Sequence, residues 1–220
     1  MKTKQTIAVI GASGSMGSAI SKNLSKGNYR LLLCSNEQGK LKATVQDIKK
    51  SNPSADVETI DCSREATWEA DIIIVAVPFR AEQEVVKKIK EVANQKIVVS
   101  IANPLNATYD GLVTAPDTSA AEELQKLLPN SKVVKAFNTT FAADFTTPVI
   151  DGKQVDSFIA GDDEEALQTV SELVKTVGFN PIVAGKLPVS RILENMQFLL
   201  IQLGMKYNYN WLAGWKILHK

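Results

Sequence analysis

The feature that most constrains this fold is the stretch IAVIGASGSMGSAI near the amino terminus. It joins an apolar run to an amphipathic one, and its glycines Gly11, Gly14 and Gly17 are spaced three residues apart. The apolar run predicts a buried β-strand, and the residues after it predict a helix. A glycine-rich crossover from strand to helix is typical of a βαβ unit that binds a dinucleotide.

The next 130 or so residues alternate predicted strands with predicted helices. The run IIIVAV (72–77) consists almost wholly of branched residues, which favours a strand buried on both faces of a parallel sheet. This order predicts an α/β fold with a doubly wound, mostly parallel sheet. We predict a dinucleotide-binding Rossmann domain over residues 1–145 and a C-terminal α/β extension over residues 146–220 that continues the sheet and closes the cleft.

The net charge and the lengths of the apolar runs limit the kinds of partner that this chain is expected to bind. The 220 residues carry a formal net charge of +1, so the chain lacks the overall field that attracts nucleic acid or an anionic membrane. Its apolar runs fall well short of the ~20 residues that span a bilayer. Two cysteines, Cys34 and Cys62, lack the spacing of metal ligands and favour a reducing compartment. We expect a soluble, cytoplasmic protein without a metal site, whose partner is a small molecule.

The glycine turn predicts a pyrophosphate site. A helix N-terminus offers free N–H groups and the positive end of its dipole to an anion. Gly11 allows the tight turn, Gly14 allows the pyrophosphate to approach, and Gly17 lets the helix pack on the strand. A glycine-rich turn that binds nothing is the alternative. The other predicted cofactor-binding residues of the turn are Ser13, Ser15 and Met16.

The end of the second predicted strand selects the nucleotide. NAD sites usually carry Asp or Glu there, to hold the ribose 2′-hydroxyl, whereas this chain has Cys34-Ser35-Asn36. Ser35 and Asn36 can donate hydrogen bonds to a 2′-phosphate, and Lys40 can add positive charge. The sequence therefore favours NADP over NAD. Glu37 opposes this preference if its carboxylate points inward.

Three other predicted strand ends supply candidates for the nicotinamide side of the cleft. Each combines polar groups with proline or an aromatic residue, which suits a flat ring that also needs hydrogen bonds. We assign Asn138 and Thr139 as the catalytic candidates, with simple turn capping as the alternative. The further candidates for cofactor contact are Val77, Pro78, Asn103 and Pro104.

The groups that ordinary carbonyl reduction requires are not evident. No tyrosine is followed by lysine four residues later, and the single histidine, His219, is next to the carboxyl terminus. A tyrosine–lysine relay and a histidine acid–base relay are therefore not expected. Hydride transfer between two stacked rings depends mainly on proximity and orientation. This favours a second flat redox molecule as the acceptor.

Several further segments occur in the order of a known family. Together with the glycine turn, they make the chain resemble the coenzyme F420-dependent NADP oxidoreductase family over nearly its whole length. The chain is also similar to the cytosolic NADPH-binding domain of the six-transmembrane metalloreductases. The segments are CS (34–35), AVP (76–78), KIVVSIANP (96–104), VVKAFNT (133–139), GDDEEA (161–166) and GKLPVSRILENM (185–196).

The resemblance implies hydride transfer between NADP(H) and a second cofactor, the deazaflavin F420 or a flavin. It also implies that Ser35 and Lys40 hold the 2′-phosphate. The family usually has arginine directly after that serine, where this chain has Asn36. Two other functions stay open: an NADP(H)-binding sensor without turnover, and a reductase of small imines or carbonyls.

The last predicted helix carries two further expectations. Its apolar run 198–201 favours a homodimer. Arg191 and Glu194 lie three residues apart, and residues so spaced on a helix are neighbours. We expect them to pair with each other, with an acidic cofactor tail as the alternative partner of Arg191.

Overall fold

An eight-stranded sheet forms the centre of a computed structural model that describes residues 4–219. The strands of this sheet are β1 (Gln5–Ile10), β2 (Tyr29–Cys34), β3 (Asp56–Thr59), β4 (Ile72–Val75), β5 (Ile97–Ser100), β6 (Lys132–Lys135), β9 (Asp156–Gly161) and β10 (Asn180–Gly185), while β7 (Val149–Ile150) and β8 (Lys153–Gln154) form a separate hairpin. The helices are α1 (Ser15–Leu24), α2 (Gln38–Ser51), α3 (Ser63–Glu69), α4 (Phe79–Ile89), α5 (Ala120–Leu127), α6 (Glu164–Thr176) and α7 (Ser190–Tyr207), with 3₁₀ turns at Ala142–Phe145 and Leu187–Val189.

The strand order across the sheet is β10-β9-β6-β5-β4-β1-β2-β3. Strands β1 to β6 run parallel to their neighbours, β9 runs antiparallel to β6, and β10 runs parallel to β9. The predicted α/β fold with a doubly wound, mostly parallel sheet is confirmed. From β1 the chain adds β2 and β3 on one side of the sheet, and it then continues with β4 on the other side of β1. The order of the strands therefore reverses between β1 and β4. Open sheets of this kind hold their ligands at that point, beyond the carboxyl ends of the strands.

The strands form where apolar residues can be buried on both faces. In β1, Ile7 and Val9 pack in the same cluster as Ile20 of α1, while Ala8 points to the other face and packs with Ala66 of α3. All four residues of β4 are fully buried. Helices therefore cover both faces, and the loops at the carboxyl ends of the strands are left to form a site.

One helix was not predicted. In α3, the seven residues bury only Ala66 and Thr67, so its sequence lacks the apolar period that identifies a helix. The C-terminal segment contributes β9 and β10 to the same sheet as β1, and the domain boundary at residue 145 stays a prediction. Across the described residues, no helix combines the length and the apolar character that a membrane span requires.

The apolar run of α7 divides between the interior and the surface. Leu200 and Ile201 are buried beside Phe141, whereas Leu199 is half exposed. Ile192, seven residues before Leu199, is exposed as well, and this spacing places both side chains on one helix face. Half of the run therefore serves the monomer's own core. The homodimer stays a prediction.

Candidate functional site

Two of the three glycines in the turn are required by close packing. Gly11 has φ +93°, and a Cβ placed on it would lie 2.3 Å from the carbonyl oxygen of Ala76. A Cβ on Gly17 would lie 2.2 Å from the carbonyl oxygen of Gly11. No side chain fits at either distance. These glycines hold β1, α1 and the end of β4 in contact with one another.

Gly14 differs, because the fold itself does not exclude a side chain there. Its φ is −73°, and a Cβ would meet only the Gly11 carbonyl oxygen, at 3.4 Å. Gly14 is the N-cap of α1, and its carbonyl oxygen accepts the first helical hydrogen bond from Ser18 N at 2.8 Å. The N–H groups of the first helical turn consequently have no partner within the helix. This open, N–H-lined space fits a pyrophosphate.

The glycine turn is tied directly to the end of β2. The backbone N–H groups of Gly11 and Ala12 both donate to the carbonyl oxygen of Cys34, at 2.9 and 3.0 Å. The hydroxyl oxygens of Ser13 and Ser35 lie 2.5 Å apart. Two predicted cofactor residues, 22 positions apart in sequence, thus meet beside the turn. Burial raises the pKa of the neighbouring Cys34 thiol to about 12, so this cysteine stays protonated and unreactive.

A cleft of about 910 Å³ runs along the carboxyl ends of β1, β2, β3 and β4. This volume lies within the range of small-molecule and cofactor sites. Among the predicted cofactor residues it is lined by Gly11, Ser13, Gly14, Ser35, Asn36, Val77 and Pro78. A second group of lining residues, which was not predicted from the sequence, follows β3: Asp61, Cys62, Ser63 and Arg64.

The missed group has a structural explanation. Strands β2 and β3 are parallel neighbours, so the residues after both strands reach the same edge of the sheet. The sequence predicts that the residues after β3 lie near those after β2 only if the weak third strand is placed next to the second strand. The glycine turn alone does not indicate it.

Lys40 lies in a different environment from the one predicted. Its ammonium nitrogen is 2.5 Å from the Glu37 carboxylate, and both side chains are more than half exposed. Glu37 lines the cleft, whereas Lys40 is not among the lining residues. The lysine therefore partly neutralises the acidic group that opposes NADP. Direct contact between Lys40 and a 2′-phosphate stays a prediction.

On the nicotinamide side, the two predicted asparagines bind each other. Asn138 Nδ2 donates to Asn103 Oδ1 at 2.9 Å, and Asn103 Nδ2 donates to the Asn138 carbonyl oxygen at 2.9 Å. Asn138 also donates to the carbonyl oxygen of Leu193 in α7, at 3.1 Å. This network joins the ends of β5 and β6 to the last helix.

The side chains of Asn138 and Thr139 are buried. The Thr139 hydroxyl accepts a hydrogen bond from Phe158 N at 3.3 Å, and Asn138 Oδ1 is buried with no partner among the described residues. Neither residue lines the cleft, and neither do Asn103 and Pro104. Their assignment to catalysis and cofactor contact stays a prediction.

The expected pairing of Arg191 with Glu194 is wrong. Arg191 donates to the Glu122 carboxylate of α5, at 2.9 and 2.6 Å, and this contact lowers the pKa of Glu122. Glu194 points inward and lies 2.6 Å from the ammonium nitrogen of Lys135. Both residues therefore contact the start of α5, but Arg191 has the Glu122 carboxylate as its partner, while the Glu194 carboxylate is bound to the buried Lys135.

Lys135 and Glu194 form an ion pair in the protein interior, with side-chain exposures of 0% and 1%. Lys135 Nζ also donates to the carbonyl oxygen of Ala102, at 2.5 Å. Glu194 accepts from the backbone N–H groups of Ala120 and Ala121, at 3.0 and 3.4 Å, and so caps the start of α5. One ion pair thus connects β6, α5 and α7.

A third ionisable group, Glu82 of α4, is buried close to this pair. Burial raises its pKa to about 8, Lys135 lowers it and Glu194 raises it. One carboxylate oxygen of Glu82 has no hydrogen-bond partner among the described residues. In the folded protein Glu82 is therefore mostly protonated at neutral pH, whereas in the unfolded chain it is ionised.

This difference makes stability depend on pH. Because the folded state binds the proton more tightly, the contribution of Glu82 is fully present below about pH 4.5 and is lost as pH rises through about 8. We expect Glu82→Gln, which mimics the protonated form, to raise the free energy of unfolding at pH 9 by on the order of 5 kcal/mol, the equivalent of a pKa raised from 4.5 to about 8. At pH 5 the variant and the wild type should differ little.

Urea unfolding at pH 5, 7 and 9 measures this effect. The exposed Glu84, also on α4 and bound to Lys87, supplies the matched control: Glu84→Gln should leave the pH dependence of the wild type intact. A parallel decline of stability in Glu82→Gln and wild type would show that Glu82 titrates normally.

Taken together, an open α/β sheet and a glycine turn at its point of reversal define the class of NAD(P)-binding Rossmann proteins. Residues 6–104 match the family described as NADP oxidoreductase, coenzyme F420-dependent. The F420-dependent NADP reductase of Methanocaldococcus jannaschii is 34% identical over 214 residues, covering 91% of this chain and 93% of that protein. This chain belongs to the family of F420-dependent NADP reductases, and it is an NAD(P)-dependent oxidoreductase.

Two further comparisons bear on the resemblance to the metalloreductases and on the fold. The metalloreductase STEAP3 of Rattus norvegicus is 34% identical over 138 residues, which make up 62% of this chain and 27% of that protein. The crystal structure of a putative F420-dependent NADP reductase from Arthrobacter sp. superposes with a TM-score of 0.82 over 98% of this chain and 100% of that one, at 23% identity. The predicted family resemblance, including that to the metalloreductases, is confirmed.

Proposed function

We propose that this chain transfers hydride between NADP(H) and the deazaflavin F420. The observation that carries the proposal is the full-length relationship to a protein named F420-dependent NADP reductase. The geometry of the turn supports it, since an open Gly14 faces the first turn of α1. NADP(H) would supply the hydride when bound.

The residues of the cleft have separable roles in this proposal. The backbone N–H groups at the start of α1 hold the pyrophosphate, with Ser13 and Ser35 at the adenosine side. Val77 and Pro78 form an apolar wall at the end of β4, which suits one face of a flat ring. The acceptor ring gains one proton besides the hydride, and water supplies that proton. The cleft therefore needs no titratable side chain for this step, and its role is to keep the two rings in register for hydride transfer.

Experiment can distinguish F420 from other acceptors, and an enzyme from a sensor. A flavin would accept hydride in the same geometry, and a small imine or carbonyl would additionally need a proton donor. A sensor would bind NADP(H) and transfer nothing. The proposal therefore makes a specific claim about turnover, in addition to its claim about binding.

Anaerobic assays with NADPH and a panel of acceptors test the proposal. We expect steady oxidation of NADPH with F420, and the reverse reaction with reduced F420 and NADP. With FMN, FAD or a cyclic imine we expect rates at least roughly a hundredfold lower. Tight NADPH binding without turnover of F420 would favour the sensor, and faster turnover with a flavin or an imine would assign a different acceptor.

A further inference from the structure

We propose that Arg64 binds the 2′-phosphate of NADP(H), since the end of β2 places the uncharged Asn36 in the cleft. This inference rests on the proposed use of NADP(H), and it adds a specificity-determining residue to it. Arg64 is the second residue of α3 and lines the cofactor cleft together with Ser35 and Asn36.

The sheet brings these residues together. Ser35 and Asn36 follow β2, and Arg64 follows β3. The two strands are parallel neighbours, with Arg30 opposite Asp56 and Leu33 opposite Thr59. The segments after them therefore leave the sheet at the same edge. An arginine after β3 can thus reach a phosphate held at the end of β2.

The cleft requires a cation that the end of β2 does not provide. Asn36 is uncharged and Lys40 lies outside the lining, whereas Lys87 lines the cleft as an ammonium group, in an exposed pair with Glu84. Among the described residues that line the cleft, Arg64 provides the guanidinium group and Lys88 a further ammonium group. A guanidinium fork matches two phosphate oxygens at once, whereas an ammonium group acts as a point charge.

Arg64 forms an exposed ion pair that a phosphate group can replace. Arg64 Nη2 lies 3.0 Å from Glu91 Oε2, and the two side chains are 56% and 67% exposed. An exposed pair of this kind contributes little stability, so a phosphate group can displace the carboxylate. Glu91 also lines the cleft, where its negative charge opposes the same phosphate. Glu91 positions the arginine at the cleft and competes with the ligand.

Fluorescence titrations with NADPH and NADH test the proposal. We expect Arg64→Ala to raise the Kd for NADPH about tenfold to a hundredfold, which corresponds to the loss of a charge-assisted hydrogen-bond pair. The Kd for NADH should change less than about twofold, since NADH lacks the 2′-phosphate. Glu91→Gln should bind NADPH a few-fold more tightly, because a competing negative charge is removed.

A matched control and a rescue complete the experiment. Arg30→Ala removes the same charge at the amino end of β2, where Arg30 pairs with Glu58 and Glu69, and it should leave both dissociation constants unchanged. Adding Asn36→Arg to Arg64→Ala should restore most of the NADPH affinity, because it returns a guanidinium to the phosphate. Circular dichroism verifies that each variant is folded.

Two results would overturn the proposal. Equal weakening of NADPH and NADH in Arg64→Ala would mean that the arginine contacts the adenine or ribose shared by both nucleotides. Unchanged affinity for both would mean that Arg64 does not touch the nucleotide. The proposed function fails separately: wild-type protein that binds NADPH but leaves F420 unreduced would refute the acceptor, and the Arg64 result would still stand.

Discussion

Replacing Gly14 by valine is expected to abolish NADPH binding while the protein stays folded. A side chain there meets only one backbone oxygen, at 3.4 Å, and the φ of −73° is accessible to valine. The new methyl groups would occupy the space in front of the α1 N–H groups, where the pyrophosphate must approach. We expect the Kd for NADPH to rise at least roughly a hundredfold, equivalent to about 2.7 kcal/mol, with little change in Tm.

The contrast with other glycines makes this result specific. Gly204 of α7 also has open space, with nothing within 4 Å of an added Cβ, so Gly204→Val should keep normal NADPH affinity. Gly11→Val should instead fail to fold, because its Cβ would overlap the Ala76 carbonyl oxygen and its φ is positive. Undiminished NADPH binding by folded Gly14→Val would contradict the assignment of the glycine turn.

The second large effect concerns stability. Lys135→Met is expected to lower the free energy of unfolding by about 3–5 kcal/mol, because it leaves the carboxylate of Glu194 buried without its cation. The backbone N–H groups of Ala120 and Ala121 would be its remaining partners. Denaturant unfolding at neutral pH measures the loss directly.

A double variant distinguishes the effect of the unpaired charge from the effect of changed packing around it. Lys135→Met combined with Glu194→Gln removes both charges and keeps an oxygen that can accept from the start of α5. We expect it to recover most of the stability lost by the single change, as a buried ion pair can often be replaced by neutral groups at small cost. A loss below about 1 kcal/mol in Lys135→Met alone would show that Glu194 is not held as a buried carboxylate.

Much of the fold is readable in the sequence because its signals are local. The composition of Ile72–Val75 indicates a buried parallel strand. The spacing of the glycines indicates a crossover from strand to helix. The sequence does not predict the short helix α3, because only Ala66 and Thr67 of this helix are buried. Its two buried neighbours give no periodic pattern to recognise.

The candidate site is readable only in part, because it depends on which strands are neighbours. The approach of Ser13 to Ser35 follows from the ordinary pairing of β1 with β2. Arg64 depends on the place of β3, a strand with weak apolar character. The predicted pairing of Arg191 with Glu194 is wrong for a related reason. Spacing along a helix shows which residues are neighbours, but residues from other elements compete for both side chains: Glu122 of α5 binds Arg191, and Lys135 of β6 binds Glu194.

The most direct test of the central claim is a crystal structure of the protein with NADPH bound. We expect pyrophosphate oxygens within hydrogen-bond distance of the backbone nitrogens at the start of α1, with the bridge passing over Gly14. The adenosine end should then lie beside Ser35, toward the ends of β2 and β3. A structure with NADPH bound elsewhere, and this crevice closed by its own side chains, would contradict the claim.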